Sequence, residues 1–167
     1  MIRYDLSAID VMVVDDNEFM LKLMRVILAS MGVRNPRYFV DPMAALMDIP
    51  KLQPDLVITD LLMQPMDGNA LTTAIRQEAP PVCYTPIFVL SGYTDRAHVL
   101  EASAAGANVV LAKPISAETL YARIVSVVEN APNFVRTESY FGPERRTESR
   151  AVSAANRLPA ASMYKTA

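Results

Sequence analysis

Four short stretches hold the residues that could do chemistry: VVDD at 13–16, VITD at 57–60, VLSG at 89–92 and LAKP at 111–114. Each places polar or charged residues directly behind an apolar run. Asp60 poses the question most sharply, because a carboxylate ending a buried strand is costly unless paired, coordinated or exposed at the rim of a sheet. Taken alone, Asp60 is equally well a turn-starting residue. If Asp15, Asp16 and Asp60 share one rim, however, three carboxylates would raise one another's pKa unless a cation intervened. An all-oxygen set without His or Cys suits a hard divalent ion, Mg²⁺ retaining several waters. Lys113 and the Ser91 hydroxyl would add positive charge and a donor. Together these are the surroundings a phosphoryl group needs.

The elements that would bring them together can be read from apolar periodicity. Strands are expected at 9–16, 37–40, 55–60, 86–91 and 107–112, as near-continuous apolar runs. Helical spacing follows each: 17–31, with Met20, Met24, Ile27 and Met31 on one face, then 42–49, 68–78, 94–105 and 116–130. Ser116 and Glu118 favour the start of the last helix, the latter through the helix dipole. Five strand–helix repeats imply a parallel sheet covered on both faces with right-handed crossovers. Ligands in such α/β sheets bind beyond the carboxyl ends of the strands, where the four stretches end.

Composition narrows the function classes. The chain has 167 residues, 51% of them hydrophobic, which is enough for one ordinary core. A net charge of -2 speaks against a general nucleic-acid binder. One cysteine, Cys83, excludes an intramolecular disulfide or a cysteine-based zinc cluster. The apolar runs are too short for a membrane span, and Asp5 and Asp10 are unlike a signal peptide. A soluble protein of the cytoplasm is expected. Residues 1–131 carry 15 acidic and 10 basic residues, residues 132–167 only 3 and 6. Apolar periodicity also fades after Pro132. The expected organisation is therefore a domain over 1–131 and an extended or disordered tail over 132–167.

The pattern VVDDN, VITDLLMQPMDG, VLSG and LAKPI resembles the receiver domain of two-component response regulators over about residues 8–130. The resemblance implies a flavodoxin-like (βα)5 fold of CheY type, strand order 2-1-3-4-5. It makes Asp60 the phosphoacceptor, Asp15 and Asp16 the acidic pair for Mg²⁺, and the backbone carbonyl of Leu62 a further ligand. Ser91 becomes the switch hydroxyl and Lys113 the lysine that contacts the phosphoryl group, with a cis bond to Pro114. It also implies a sensor histidine kinase or histidine phosphotransfer protein as donor, an output protein as target, and room for a homodimer. Direct DNA binding is not expected. Three departures stand out. Pro65 lies one residue later than usual, Val110 replaces the usual aromatic switch residue, and the link from Ala79 to Thr85 is longer than the family's.

Other readings are a receiver-like scaffold that is never phosphorylated, and a Mg²⁺-dependent phosphatase or phosphotransferase. Haloacid-dehalogenase-type enzymes need a second Asp two residues after the first, where Leu62 stands here. Neither G-x-G-x-x-G nor a P-loop occurs. His98 reads as a surface residue, Cys83 as a small hydrophobe, and the methionines as packing. In the tail, SYFGPERRTESR suggests either an inert extension or a docking peptide anchored by Tyr140 and Phe141, with Arg145 and Arg146 contacting an anion.

Overall fold

The computed structural model describes residues 4–93, 95–144 and 157–158. The strands β1 (Val11–Val14), β2 (Arg37–Phe39), β3 (Leu56–Asp60), β4 (Ile87–Ser91) and β5 (Val109–Ala112) form one sheet. All pair in parallel, in the order β2-β1-β3-β4-β5. Between and after them run α1 (Glu18–Ser30), α2 (Pro42–Leu52), α3 (Gly68–Gln77), α4 (Arg96–Ala105) and α5 (Ala117–Glu129). This is the expected α/β architecture and strand order.

Successive side chains of a strand point to opposite faces, and both faces are apolar here. Val11, Val13, Ile58, Phe88, Leu90 and Leu111 pack beneath α1 and α5. Met12, Val14, Val57, Ile87 and Val89 face α2, α3 and α4. Full burial of each such side chain contributes about 1.5–3 kcal/mol, so the sheet's position is set by its two cores. All five helices start on the loops that leave the strands' carboxyl ends. Asn17, Asp41, Asp67, Asp95 and Ser116 cap them by accepting hydrogen bonds from N–H groups two or three residues on. Each cap stabilises by about 1 kcal/mol.

Two expectations change. Helix α2 does not stop at residue 49 but carries Pro50 within its last turn, ending at Gln53 in the left-handed region. Proline there forfeits one backbone donor, while the burial of Ile49 and Leu52 continues to hold the turn on the sheet.

The second change is larger. Residues 132–144 do not trail away from the body. Strands β6 (Phe134–Arg136) and β7 (Phe141–Pro143) pair antiparallel, and β8 (Arg157–Leu158) pairs with the other edge of β6. Phe134 and Val135 are fully buried. Their cover is supplied by the long link after α3, whose short 3-10 turn, Val82–Tyr84, presents Tyr84 edge-on to Phe134 and Phe141. Packing therefore crosses the boundary expected at residue 131. The docking residues Arg145 and Arg146 lie outside the described residues. Among the described residues no helix is long and apolar enough to cross a membrane.

Candidate functional site

Parallel register puts the ends of β1, β3, β4 and β5 on one rim. Carboxylate oxygens of Asp15, Asp16 and Asp60 lie within 4.8 Å of one another. Lys113 Nζ sits between two of them, 2.9 Å from Asp60 Oδ1 and 3.2 Å from Asp15 Oδ2. Asp15 is buried, Asp60 half-buried and Asp16 exposed, so the cluster opens to solvent on one side only.

The backbone holds each acid. Asp15 Oδ1 accepts from the N–H of Asn17 at 2.9 Å, and Asp60 Oδ1 from the N–H of Leu61 at 2.8 Å. Asp16 Oδ2 accepts from the N–H of Gln64 at 3.1 Å, tying the loop after β3 to the loop after β1. Gln64–Pro65 and Lys113–Pro114 are cis peptides, the second as the family resemblance implies. Burial pushes the Asp15 carboxyl above its ordinary range, against the opposing pull of the Asn17 N–H and the Lys113 ammonium. Burial works against the Lys113 charge as well, but hydrogen bonding and attraction from Asp60 and Asp15 outweigh it and raise its pKa. Three carboxylates meet one ammonium here, which leaves the site short of positive charge. Its donors are all oxygens at chelating separation, which fits a small hard dication.

Ser91 is buried at the end of β4, and its carbonyl accepts from the Lys113 N–H. Its hydroxyl is engaged elsewhere: Ser91 Oγ donates to the Tyr93 carbonyl at 2.6 Å and accepts from the Tyr93 N–H at 2.9 Å. The structure thus gathers Asp15, Asp16, Asp60 and Lys113, and holds the Ser91 hydroxyl within the following turn. Leu62 lies exposed in the loop after β3.

Sequence reading missed the part played by Gly68. A Cβ at this position would run into the Asp60 carbonyl oxygen and lie 3.1 Å from its carbon. The Gly68 N–H also bonds the Leu61 carbonyl at 2.8 Å. Asp67–Gly68 was legible as a turn; its closeness to Asp60 was not. Asn17 was likewise legible as a helix start, without its bond to Asp15.

A sequence model described as the response regulator receiver domain matches residues 11–125. Chemotaxis protein CheY-3 of Vibrio cholerae is 29% identical over 119 residues, covering 71% of this chain and 91% of that protein. CheY of Pseudomonas aeruginosa is 27% identical over 119 residues, covering 71% and 95%. The crystal structure of Vibrio cholerae CheY4 superposes with a TM-score of 0.66 at 28% identity, covering 71% of this chain and 98% of that one. The family match spans the five strands of the body and includes Asp15, Asp16 and Asp60. The chain belongs to the response regulator receiver domain family, the CheY-like signalling domains of two-component systems.

Proposed function

We propose that the chain is a phosphorylation-controlled switch in which Asp60 accepts a phosphoryl group from a histidine kinase or histidine phosphotransfer protein. The observation that carries this reading is the meeting of three carboxylates and the Lys113 ammonium on one rim. Asp60 Oδ1 is occupied by the Leu61 N–H and Lys113, which fixes the carboxylate and leaves Oδ2 as the attacking oxygen. Oδ2 forms the new bond to phosphorus while the donor's P–N bond, or the P–O bond of an acyl phosphate, breaks with its electron pair leaving on the donor. Positioning and neutralisation of charge dominate such transfers. Asp15, Asp16, Asp60 and the Leu62 carbonyl would hold Mg²⁺. Bound there, the ion would supply positive charge toward the phosphoryl oxygens. The Lys113 ammonium, beside Asp60 Oδ1, supplies positive charge as well, and Ser91 donates to a phosphoryl oxygen once its hydroxyl leaves the Tyr93 carbonyl. Signal output is a protein contact rather than a reaction or a direct contact with DNA.

The test is intact mass after incubation with acetyl phosphate and Mg²⁺. One phosphoryl adduct is expected on the wild type, and none on Asp60→Asn or without the metal. Equal incorporation in Asp60→Asn would sink the assignment.

A further inference from the structure

Helix α4 is held differently from its neighbours. Its one fully buried residue is Ala102, whereas α1 buries Leu21, Met24, Ile27 and Leu28. Leu100 and much of its outer face are exposed. Its position therefore depends on its two ends. At the amino end, the preceding turn carries Ser91 and Tyr93, with the Tyr93 ring stacked 5.4 Å from His98 and Asp95 capping the helix. That end is joined directly to the rim.

The carboxyl end is pinned. Gly106 closes α4 with φ 103, a left-handed conformation that glycine adopts without strain. Its carbonyl accepts from both Arg76 Nε and Nη2, at 3.0 and 2.9 Å. The same buried guanidinium donates to the carbonyls of Cys83 and Thr85 and to Asn108 Oδ1. Its Cζ lies 5.1 Å from the centre of the Phe134 ring. The hairpin closes this arrangement from outside. A Cβ on Gly106 would lie 2.9 Å from Arg76 Cγ and 3.1 Å from the Phe141 carbonyl oxygen, and a Cβ on Gly142 would press on the Tyr140 ring first and lie 3.0 Å from Gly106 Cα. One end of the helix thus meets the reactive rim, and the other meets residues beyond the family match.

We propose that the β6–β7 hairpin is a built-in restraint on the switch, pinning the carboxyl end of α4 and opposing any shift of α4 that follows modification of Asp60. The inference rests on the phosphorylation reading above. Release of the Ser91 hydroxyl from Tyr93 frees the amino end of α4, and a helix with so little buried area moves as a body. With Gly106 clamped between Arg76 and the hairpin, that movement strains the clamp. Coupling of this kind is reciprocal. A loosened hairpin favours the modified state of the rim, and a modified rim loosens the hairpin.

The experiment uses the full chain and beryllofluoride with Mg²⁺ as the phosphoryl mimic. Gly142→Ala crowds Tyr140 within the hairpin as well as the hairpin's contact with Gly106, and Phe134→Leu weakens the aromatic seat by a separate route that leaves Tyr140 alone. Amide hydrogen exchange at Val135 and Ala107 reads docking, and an NMR titration reads beryllofluoride affinity. The expected result is faster exchange at both amides, several-fold tighter beryllofluoride binding in the variants, and faster Val135 exchange in wild type saturated with the mimic. Affinity unchanged while Val135 exchange rises overturns the coupling, as does a hairpin whose exchange ignores the mimic. If neither variant speeds exchange, the clamp is not the one described and the proposal falls. Wild type that binds no beryllofluoride overturns the phosphorylation reading itself, a failure distinguishable because it appears without any hairpin variant.

Discussion

Asp15 shows how one residue can oppose the fold that its proposed role requires. Burial raises its pKa, so the ionised form is disfavoured in the folded chain relative to the unfolded one. Its ionisation therefore costs stability above the folded pKa, and that cost disappears as pH falls through it towards the unfolded value of 3.8. Asp15→Asn is expected to raise the melting temperature of the metal-free protein at neutral pH and to lose Mg²⁺ binding. The melting difference from wild type should close as pH is lowered; a constant difference would mean that titration of Asp15 is not its source. Gly68 gives the complementary case. Gly68→Ala forces a methyl group against the Asp60 carbonyl, so phosphorylation by acetyl phosphate should fall at least tenfold with far-UV circular dichroism unchanged. The strand-end acids were legible because each follows an apolar run that could only be a strand. Gly68 was not, since sequence reports a turn but not which carbonyl the turn brings near.

Among the elements, the hairpin was least legible, for a physical reason. Its buried residues fall in adjacent pairs, Phe134 with Val135 and Gly142 with Pro143, and so fit neither helical nor alternating periodicity. Tyr84 and Arg76, the partners of Phe134, lie far back in the chain. Tyr140 and Phe141 drew attention as docking anchors, and the structure seats Phe141 on this same chain. Removal of a fully buried phenylalanine costs about 3–5 kcal/mol. Phe134→Ala should therefore shift the urea midpoint of the full chain markedly, where an inert tail would leave it unmoved. Cys83 provides an independent readout. It is buried, and burial pushes its thiol above the ordinary range despite the nearby charges of Arg76 and Arg136. Folded wild type is expected to resist alkylation at pH 8. Variants with a loosened hairpin should label faster, and equal rates would place the cysteine's protection elsewhere. Helices and strands of the body were readable because each satisfies its own periodicity within a dozen residues.

At the scale of the whole molecule, the polypeptide is tied at more than the rim. The Tyr4 N–H bonds Tyr121 Oη at 2.7 Å, and Tyr4 Oη bonds Glu129 at 2.8 Å, fastening the start of the chain to α5. The hairpin fastens the stretch after α5 to α3 and to the end of α4. Truncation after Ala131 removes Phe134, Val135 and Phe141 and uncovers Tyr84. The shortened chain is expected to melt at lower temperature than full length while still accepting phosphate at Asp60; equal melting would restore the independent domain that the sequence suggested. Strand order came from the family resemblance, whereas fold class could be inferred from the body alone because parallel sheets leave few topologies open. The terminal addition could not, since nothing local dictates where an added hairpin lands. The seat formed by Tyr84 has a consequence for descent. A lengthened α3–β4 link without the hairpin would leave an aromatic ring bare, and the hairpin without the link would have no seat. The two segments are therefore expected to be inherited as one module. In a census of receiver genes they are expected to be gained and lost together, and many chains carrying one without the other would show that they arose as separate events.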